Sequence, residues 1–313
     1  MTYEPHSWKH KGEGQLLPAQ ITRTALFRYI MKVFFNHVAK CGGTSINTLA
    51  KQEYGENYHV ITGETPREEL GGWLSKKRAF ITSEIAALKR THIELICQAE
   101  NLKKIFLARK PLQRFESLCG HSTRDTYGET NNAGMAFWGN EHYLDESITA
   151  DAWLHGSIER LRQRLLYGER KTLMPFDSGL IFGVYSQWWL ATLKSGPDAN
   201  TGPLFLDGDI YKHISMSRTA ACQSGLPYEI FIANYLRKAY SVVGTTEKIE
   251  LFHSRLVRTG IFSSYSQLPQ TNSSASTRER AGKISRINDP FLKTSFLAIA
   301  PEDFYVHNAC SQL

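Results

Sequence analysis

Short apolar segments recur along the chain, without the strict alternation of apolar and polar residues that is typical of a strand with one exposed face. Five of them predict strands, at residues 32–38, 58–61, 79–81, 104–108 and 240–244. Helical or loop segments separate these strands. Such an order indicates a mostly parallel sheet with helices on both faces, because parallel neighbours need long crossover connections. The predicted fold class is therefore α/β, with about five strands.

The composition of the other segments predicts how the chain is divided into an arm, a domain and loops. Residues 1–31 are polar and irregular and predict an N-terminal arm, whereas residues 32–313 suffice for a single domain with a well-buried core. The loop-rich residues 120–155 precede helices predicted at 157–167 and 184–194 and a strand predicted at 203–206. Residues 263–283 are rich in Ser, Thr and Arg, so they predict a long surface loop, a kind of segment that is often functional.

The segment from His37 to Ser45 joins the first predicted strand to a helix through a pair of glycines. Backbone N–H groups at such a turn, together with the positive end of the helix, form a cradle for phosphate. A Walker A loop places its lysine directly before the hydroxyl residue. Here Lys40 precedes the glycine pair, so the pattern favours a phosphate cradle that is not an NTPase loop. The structural alternative is a tight turn in which Thr44 or Ser45 caps the helix.

This segment resembles the 5′-phosphosulfate-binding loop of sulfotransferases that use 3′-phosphoadenosine 5′-phosphosulfate (PAPS), especially the carbohydrate-type branch with its His-x-x-Lys-x-Gly-Gly-Thr-Ser pattern. The matching residues are His37, Lys40, Gly42, Gly43, Thr44 and Ser45, and Cys41 stands where that branch often has another small residue. The resemblance implies that residues 40–45 hold the phosphosulfate and that Lys40 neutralises the departing phosphate. We expect His37 to contact the phosphosulfate or to shape the turn.

A second segment, residues 104–118, combines a buried strand, an arginine at its end, a proline turn and the start of a helix. It is similar to the 3′-phosphate motif of the same family, Arg-x-Pro-x-x-Arg-Phe-x-Ser. Arg109 and Ser117 match the 3′-phosphate ligands, and a guanidinium with a hydroxyl suits a dianionic phosphate. Arg114 is interpreted as a support of the turn. A third match, Val-Gly-x-x-Glu at residues 243–247, gives Glu247 a structural role.

The acceptor needs a general base, for which the sequence offers Glu84, directly after the third predicted strand. A carboxylate at that edge of a parallel sheet faces the ligand crevice. The alternative role for Glu84 is to complement a helix dipole, and His121 and His92 are reserve candidates for the base.

The acceptor side also contains an unusual segment, residues 125–153, with six carboxylates, several aromatic residues and no Lys or Arg. It is either an acceptor wall for a cationic or polyhydroxylated molecule, or a solvated acidic loop. The predicted substrate contacts are Glu84, His121, Trp138 and His142. On the donor side, Arg278, Arg280 and Lys283 are interpreted as closing over the nucleotide from the late loop.

Charge and cysteine content narrow the function further. The 37 Lys and Arg exceed the 30 Asp and Glu, a net charge of +7 that favours anionic partners, but the basic residues are scattered and argue against nucleic acid. The five cysteines are widely spaced without a C-x-x-C pair, and the first residues lack the apolar core of a signal peptide. We therefore expect a cytoplasmic protein with reduced thiols and no membrane span, disulfide framework or metal site.

Taken together, the resemblance implies the P-loop kinase-like sulfotransferase fold. It also implies transfer of a sulfuryl group from PAPS to a hydroxyl or amine of a soluble small-molecule or saccharide acceptor, with release of 3′,5′-ADP and no metal. Two alternatives stay open: an ATP-dependent small-molecule kinase and a basic nucleic-acid-binding protein. The position of Lys40 argues against the kinase, as does Glu84 where a Walker B strand would end in Asp.

Overall fold

Five parallel strands form one sheet. They are β1 (Met31–His37), β2 (Tyr58–Ile61), β3 (Arg78–Glu84), β4 (Leu102–Ala108) and β5 (Val242–Thr245), and they lie in the order β2-β3-β1-β4-β5. The α/β class and all five predicted strands are confirmed. Strands β3 and β4 are longer than predicted, because residues outside the apolar run, such as Arg78 and Lys103, continue the hydrogen-bonded ladder.

The computed structural model describes residues 30–38, 40–84, 88–121, 151, 154, 155, 158, 218–269, 288–299 and 301–313, without the side chains of residues 84, 90, 118–121 and 299. The elements predicted at 184–194 and 203–206 lie outside the described residues, as do nearly all of the predicted N-terminal arm and all of the helix predicted at 157–167 except residue 158, which is helical. None of the helices in the described ranges combines the length and the apolar character that crossing a membrane requires.

Helices cover both faces of the sheet. They are α1 (Gly43–Tyr54), α2 (Arg67–Ser75), α3 (Arg90–Gln98), α4 (Pro111–His121), α5 (Tyr228–Ala239), α6 (Ile249–Arg258), α7 (Pro290–Ile299) and α8 (Pro301–Gln312). Helices α1 and α6 pack on one face through residues such as Ile46 and Phe252. Helices α2, α3, α5 and α8 share the core of the other face, to which Leu70, Leu236 and Val306 belong.

The central strand β1 is buried from both sides. Phe35 packs into the core on the α1 and α6 side, whereas Phe34 packs into the core on the opposite side, and both side chains are fully buried. A strand in this position needs apolar residues on both faces. This explains why the sequence around β1 shows a continuous apolar run instead of alternation.

The strand order creates a crevice at the carboxyl end of β1. After β1 the chain runs through α1 to β2, on one side of β1, whereas β4 and β5 lie on its other side. The segments that follow β1 and β4 therefore border a topological switch point, which is where parallel sheets of this kind bind ligands. The first two sequence motifs lie in these two segments.

Candidate functional site

The two motifs meet at the carboxyl edge of the sheet. The Nη1 atom of Arg109, directly after β4, donates a hydrogen bond of 3.4 Å to the carbonyl oxygen of Lys40, in the turn after β1. The two residues lie 69 positions apart in the chain. The contact brings a guanidinium to the rim of the turn that the sequence identified as a phosphate cradle.

Two residues with left-handed backbone conformations shape this turn. Lys40 has a φ of 66° and Gly42 a φ of 72°, and the N–H of Cys41 between them donates to the carbonyl oxygen of Val38 over 3.2 Å. Turns that alternate between left-handed and ordinary residues point successive N–H groups into one concavity, where they bind anions. The geometry of the turn therefore suits an anionic ligand.

Helix α1 begins at Gly43, and its N-cap is Gly42, which makes no side-chain capping bond. The alternative in which Thr44 or Ser45 caps the helix is therefore wrong: both residues already lie in the first turn. No acidic residue is present in that turn. Because a helix N-terminus carries about half a positive elementary charge, an uncompensated one favours an anion beside it.

Gly42 also lies against the end of β5. A Cβ added to Gly42 would lie 3.1 Å from Cγ2 of Thr246 and 3.5 Å from Cδ2 of Leu107. The turn is thus packed against the ends of β4 and β5, and a larger residue at position 42 would be strained both by its φ and by these neighbours. The sequence contains no signal that marks Thr246 as part of the site.

His37 forms a wall behind the turn. Its ring stacks on the ring of Phe35 at a centroid distance of 5.4 Å, the residue is only 7% exposed, and the ring occupies the space beside Gly43. This arrangement supports the expectation that His37 shapes the turn. Its contact with a phosphosulfate stays a prediction.

Glu84 is the last residue of β3, and its backbone is in register with His37 on the neighbouring strand. The backbone of the candidate base therefore lies at the same edge of the sheet as the phosphate cradle. Its side chain is not described, so its catalytic role stays a prediction.

The second motif continues into α4. Ser117 lies two turns into this helix and is half-buried, whereas Arg114 is 1% exposed. The burial of Arg114 agrees with its interpretation as a support of the turn. Arg109, by contrast, is partly exposed at the crevice, where its guanidinium can reach a ligand.

A carboxylate from the third motif holds the turn that carries Arg109. The backbone N–H of Lys110 donates to Oε1 of Glu247 over 2.9 Å, and Nε2 of His307 lies 3.2 Å from Oε2 of the same carboxylate. Burial alone would raise the pKa of Glu247, but the hydrogen bond from Lys110 and the interactions with His307 outweigh it and hold the pKa below its usual range. The structural role assigned to Glu247 agrees with this geometry.

His307 is the partner that sequence reasoning missed. It lies in α8, 60 residues after Glu247, and belongs to none of the three motifs. A histidine near a chain end gives no local signal of such a contact, because the contact depends on how α8 packs beside β4 and β5.

His92 does not fit its reserve role as a base. It is 1% exposed, its Nδ1 accepts the backbone N–H of Lys89 over 3.2 Å, and its Nε2 lies 2.8 Å from the carbonyl oxygen of Thr65. Both ring nitrogens are therefore engaged in structural hydrogen bonds at the start of α3. His121, the other reserve, is the last residue of α4.

One acidic residue of the acceptor segment has a structural contact. The carboxylate of Asp151 accepts the backbone N–H groups of Asn288 and Asp289, at 2.9 and 3.2 Å, just before α7. Trp138 and His142, from the same segment, lie outside the described residues, as do Arg278, Arg280 and Lys283 of the late loop. Within the described ranges, no three or more His, Cys, Asp or Glu residues are grouped so that they could hold a metal ion.

Comparisons with protein-family models and with curated proteins found no match for this chain. The fold and the geometry of the site are therefore the basis for a functional assignment.

Proposed function

We propose that this chain is a PAPS-dependent sulfotransferase that acts on a hydroxyl or amine of a small acceptor. The observation that carries the proposal is the contact between Arg109 and Lys40, which joins the two motif segments at the switch point of the sheet. One segment suits a 5′-phosphosulfate and the other a 3′-phosphate. A ligand that bears both groups matches the pair better than a nucleoside triphosphate does.

The role of the turn in binding the donor follows from the charge that develops during sulfuryl transfer. In sulfuryl transfer the acceptor oxygen or nitrogen forms a bond to sulfur while the bond from sulfur to the bridging oxygen of the 5′-phosphate breaks, so negative charge accumulates on the departing phosphate. The turn at Lys40–Gly42 offers an ammonium to this charge, and the start of α1 adds its N–H groups and its dipole. Lys40 thus stabilises the leaving group in the transition state.

Arg109 and Ser117 supply the selectivity for the nucleotide. The guanidinium binds two oxygens of the 3′-phosphate, and the hydroxyl adds a third donor. Glu247 positions Arg109 by holding the N–H of the next residue, Lys110. The 3′-phosphate distinguishes PAPS from ATP, so this part of the site decides the donor.

Glu84 takes the proton from the acceptor as the new bond forms. Its place at the carboxyl end of β3, in register with His37, supports this role. The all-parallel sheet with the phosphate cradle after its central strand supports the finer assignment to the P-loop kinase-like sulfotransferase fold.

Calorimetry tests the donor half. We expect 3′,5′-ADP to bind without Mg²⁺ and more tightly than 5′-AMP, and Arg109→Gln to remove this difference, because the variant lacks the 3′-phosphate contact. Arg67→Gln, an exposed arginine on α2, is the matched control and keeps the preference. A preference for ATP with Mg²⁺ would assign the chain to a kinase instead. Nucleic-acid affinity that falls steeply with salt and is unaffected by Lys40→Ala would indicate a nucleic-acid-binding protein.

Turnover tests the acceptor half. The chain is incubated with PAPS and a metabolite extract, and mass spectrometry detects compounds that have gained a sulfuryl group. With an acceptor found in this way, we expect Glu84→Gln to lower kcat by about 10²–10⁴-fold while 3′,5′-ADP affinity stays unchanged. Unchanged kcat in this variant would exclude Glu84 as the base.

A further inference from the structure

A cavity of about 410 Å³ lies at the opposite edge of the sheet, where β5 begins. This volume is in the range of small-molecule sites. Its walls include Arg237 at the end of α5, the start of β5, and Arg255 and Arg258 at the end of α6. Neither of the first two motifs contributes to it, since they lie at the carboxyl end of the strands, and of the third motif only Val243 lines it.

The cavity is strongly basic. Within the described part of the chain, none of its three arginines forms an ion pair with a carboxylate. A fourth cation lies at the rim, because Nζ of Lys103 donates to the carbonyl oxygen of Thr259, a lining residue, over 2.7 Å. Arginines without acidic partners around a small-molecule-sized cavity favour an anionic ligand.

The negative ends of nearby helices do not neutralise all of this positive charge. Helices α5, α6 and α8 end at the cavity, and each helix end carries about half a negative elementary charge. The positive charge of the four cations is larger than the total negative charge of the three helix ends. It is still larger when the charge of one carboxylate at Leu313 is added to the negative side. The cavity therefore retains a positive potential that a ligand can use.

Its donors and its walls indicate the chemistry of that ligand. Arg255 is held in place by a 3.2 Å hydrogen bond from Nη1 to the carbonyl oxygen of Val243, and a guanidinium has five N–H donors, so others remain for a ligand. Tyr240, Val242 and Val243 form buried walls that are largely apolar. Oxyanions bind to guanidinium groups in paired hydrogen bonds, and an apolar body fits such walls.

We propose that this cavity binds a small organic phosphate or sulfate ester, with the ester oxygens on Arg237, Arg255 and Arg258 and the organic part against Tyr240. This site is separate from the proposed donor site and does not depend on the proposed function.

The test uses phenyl phosphate as the probe and calorimetry of the full chain in a Lys40→Ala background, which weakens binding at the donor turn. The variant Arg237→Gln with Arg258→Gln removes two exposed cations and keeps Arg255, which holds β5. The control, Arg67→Gln with Lys77→Gln, removes the same net charge from exposed positions on and beside α2. Circular dichroism checks that both variants are folded.

We expect saturable binding of phenyl phosphate that falls at least tenfold in the arginine variant and less than twofold in the control. Benzyl alcohol, which has the ring without the charge, is expected to bind at least tenfold more weakly. The proposal is overturned by absence of saturable binding or by equal losses in variant and control. It is also overturned if the wild type binds the probe and the Lys40→Ala background does not. The last result would place the probe in the donor turn.

Discussion

A Cβ on Gly43 would overlap the imidazole ring of His37. The ring cannot move away freely, because it is stacked on Phe35 and almost entirely buried. A glycine at the start of α1 is therefore required by a side chain on β1, and the two residues form one structural unit.

Gly43→Ala is accordingly expected to lower the free energy of unfolding by about 1–3 kcal/mol, the usual cost of inserting a methyl group into a packed site. The added Cβ must displace His37, so 3′,5′-ADP affinity should fall as well. Urea denaturation and calorimetry measure the two effects.

A double-mutant cycle shows whether His37 is the cause. Because His37→Ala opens the space, the double variant should be more stable than the sum of the single effects predicts. Gly72→Ala in α2 is the control, since a Cβ there meets nothing within 4 Å, and it should be neutral or stabilising. Additive effects would mean that Gly43 is required for another reason.

Two substitutions of Lys40 distinguish the effect of its charge from the effect of its backbone conformation. Lys40→Ala and Lys40→Gly both remove the ammonium, and we expect each to lower sulfotransfer kcat by about 10²–10³-fold. The left-handed φ of 66° is relaxed only by glycine. The Gly variant should therefore be about 1 kcal/mol more stable than the Ala variant, as measured by chemical denaturation. If turnover followed stability instead of charge, Lys40 would have only a structural role.

The carboxylate of Glu247 makes stability depend on pH. Its pKa in the folded chain is lower than in the unfolded chain, so its contribution is complete above the unfolded value of about 4.3 and is lost as the pH falls through the lower folded value. Glu247→Gln should cost about 1 kcal/mol at pH 7, because hydrogen bonds to a neutral amide are weaker. This difference should shrink as the pH falls below 4.3.

Unfolding curves at several pH values, for the wild type and Glu247→Gln, measure this effect. Glu250→Gln is the control, an exposed glutamate in the first turn of α6. Since Glu247 holds the turn that carries Arg109, its variant should also bind 3′,5′-ADP more weakly. A stability difference that does not change with pH would contradict the role of the charged carboxylate.

A buried hydrogen bond joins β1 to the segment before β5. Nδ2 of Asn36 donates to the hydroxyl oxygen of Tyr240 over 2.9 Å, and both residues are buried. Tyr240→Phe removes the acceptor and should lower the free energy of unfolding by about 1–3 kcal/mol. Tyr265→Phe, at a residue that is 89% exposed, should change it by less than about 0.5 kcal/mol. Equal effects in thermal denaturation would show that this bond contributes nothing.

Most of the sheet could be predicted because its signals are local. The residues around Phe34 and Phe35 form a continuous apolar run, and a strand between two layers of helices requires such a run. The glycine pair predicted the turn and the helix after it. The helix cap was predicted less well, because the hydroxyls of Thr44 and Ser45 gave a strong local signal that the left-handed Gly42 overrides.

Several parts of the site depend on residues that are distant in sequence. Lys40 and Arg109 meet because the strand order places β4 beside β1, and no spacing within either motif specifies that order. His307 reaches Glu247 only through the packing of α8. The basic cavity likewise combines the ends of three helices that are separate in the chain.

The turn from His37 to Ser45 combines features that the local sequence encodes with features that depend on the tertiary structure. The sequence by itself determined that a strand, a glycine turn and a helix follow one another, because hydrophobic pattern and glycine content act over a few residues. Only the tertiary structure decided that Gly43 accommodates a ring, that Gly42 packs against Thr246, and that Arg109 lies at the rim. These contacts depend on the order of the strands and on the volume left between packed layers, which arise from the whole chain.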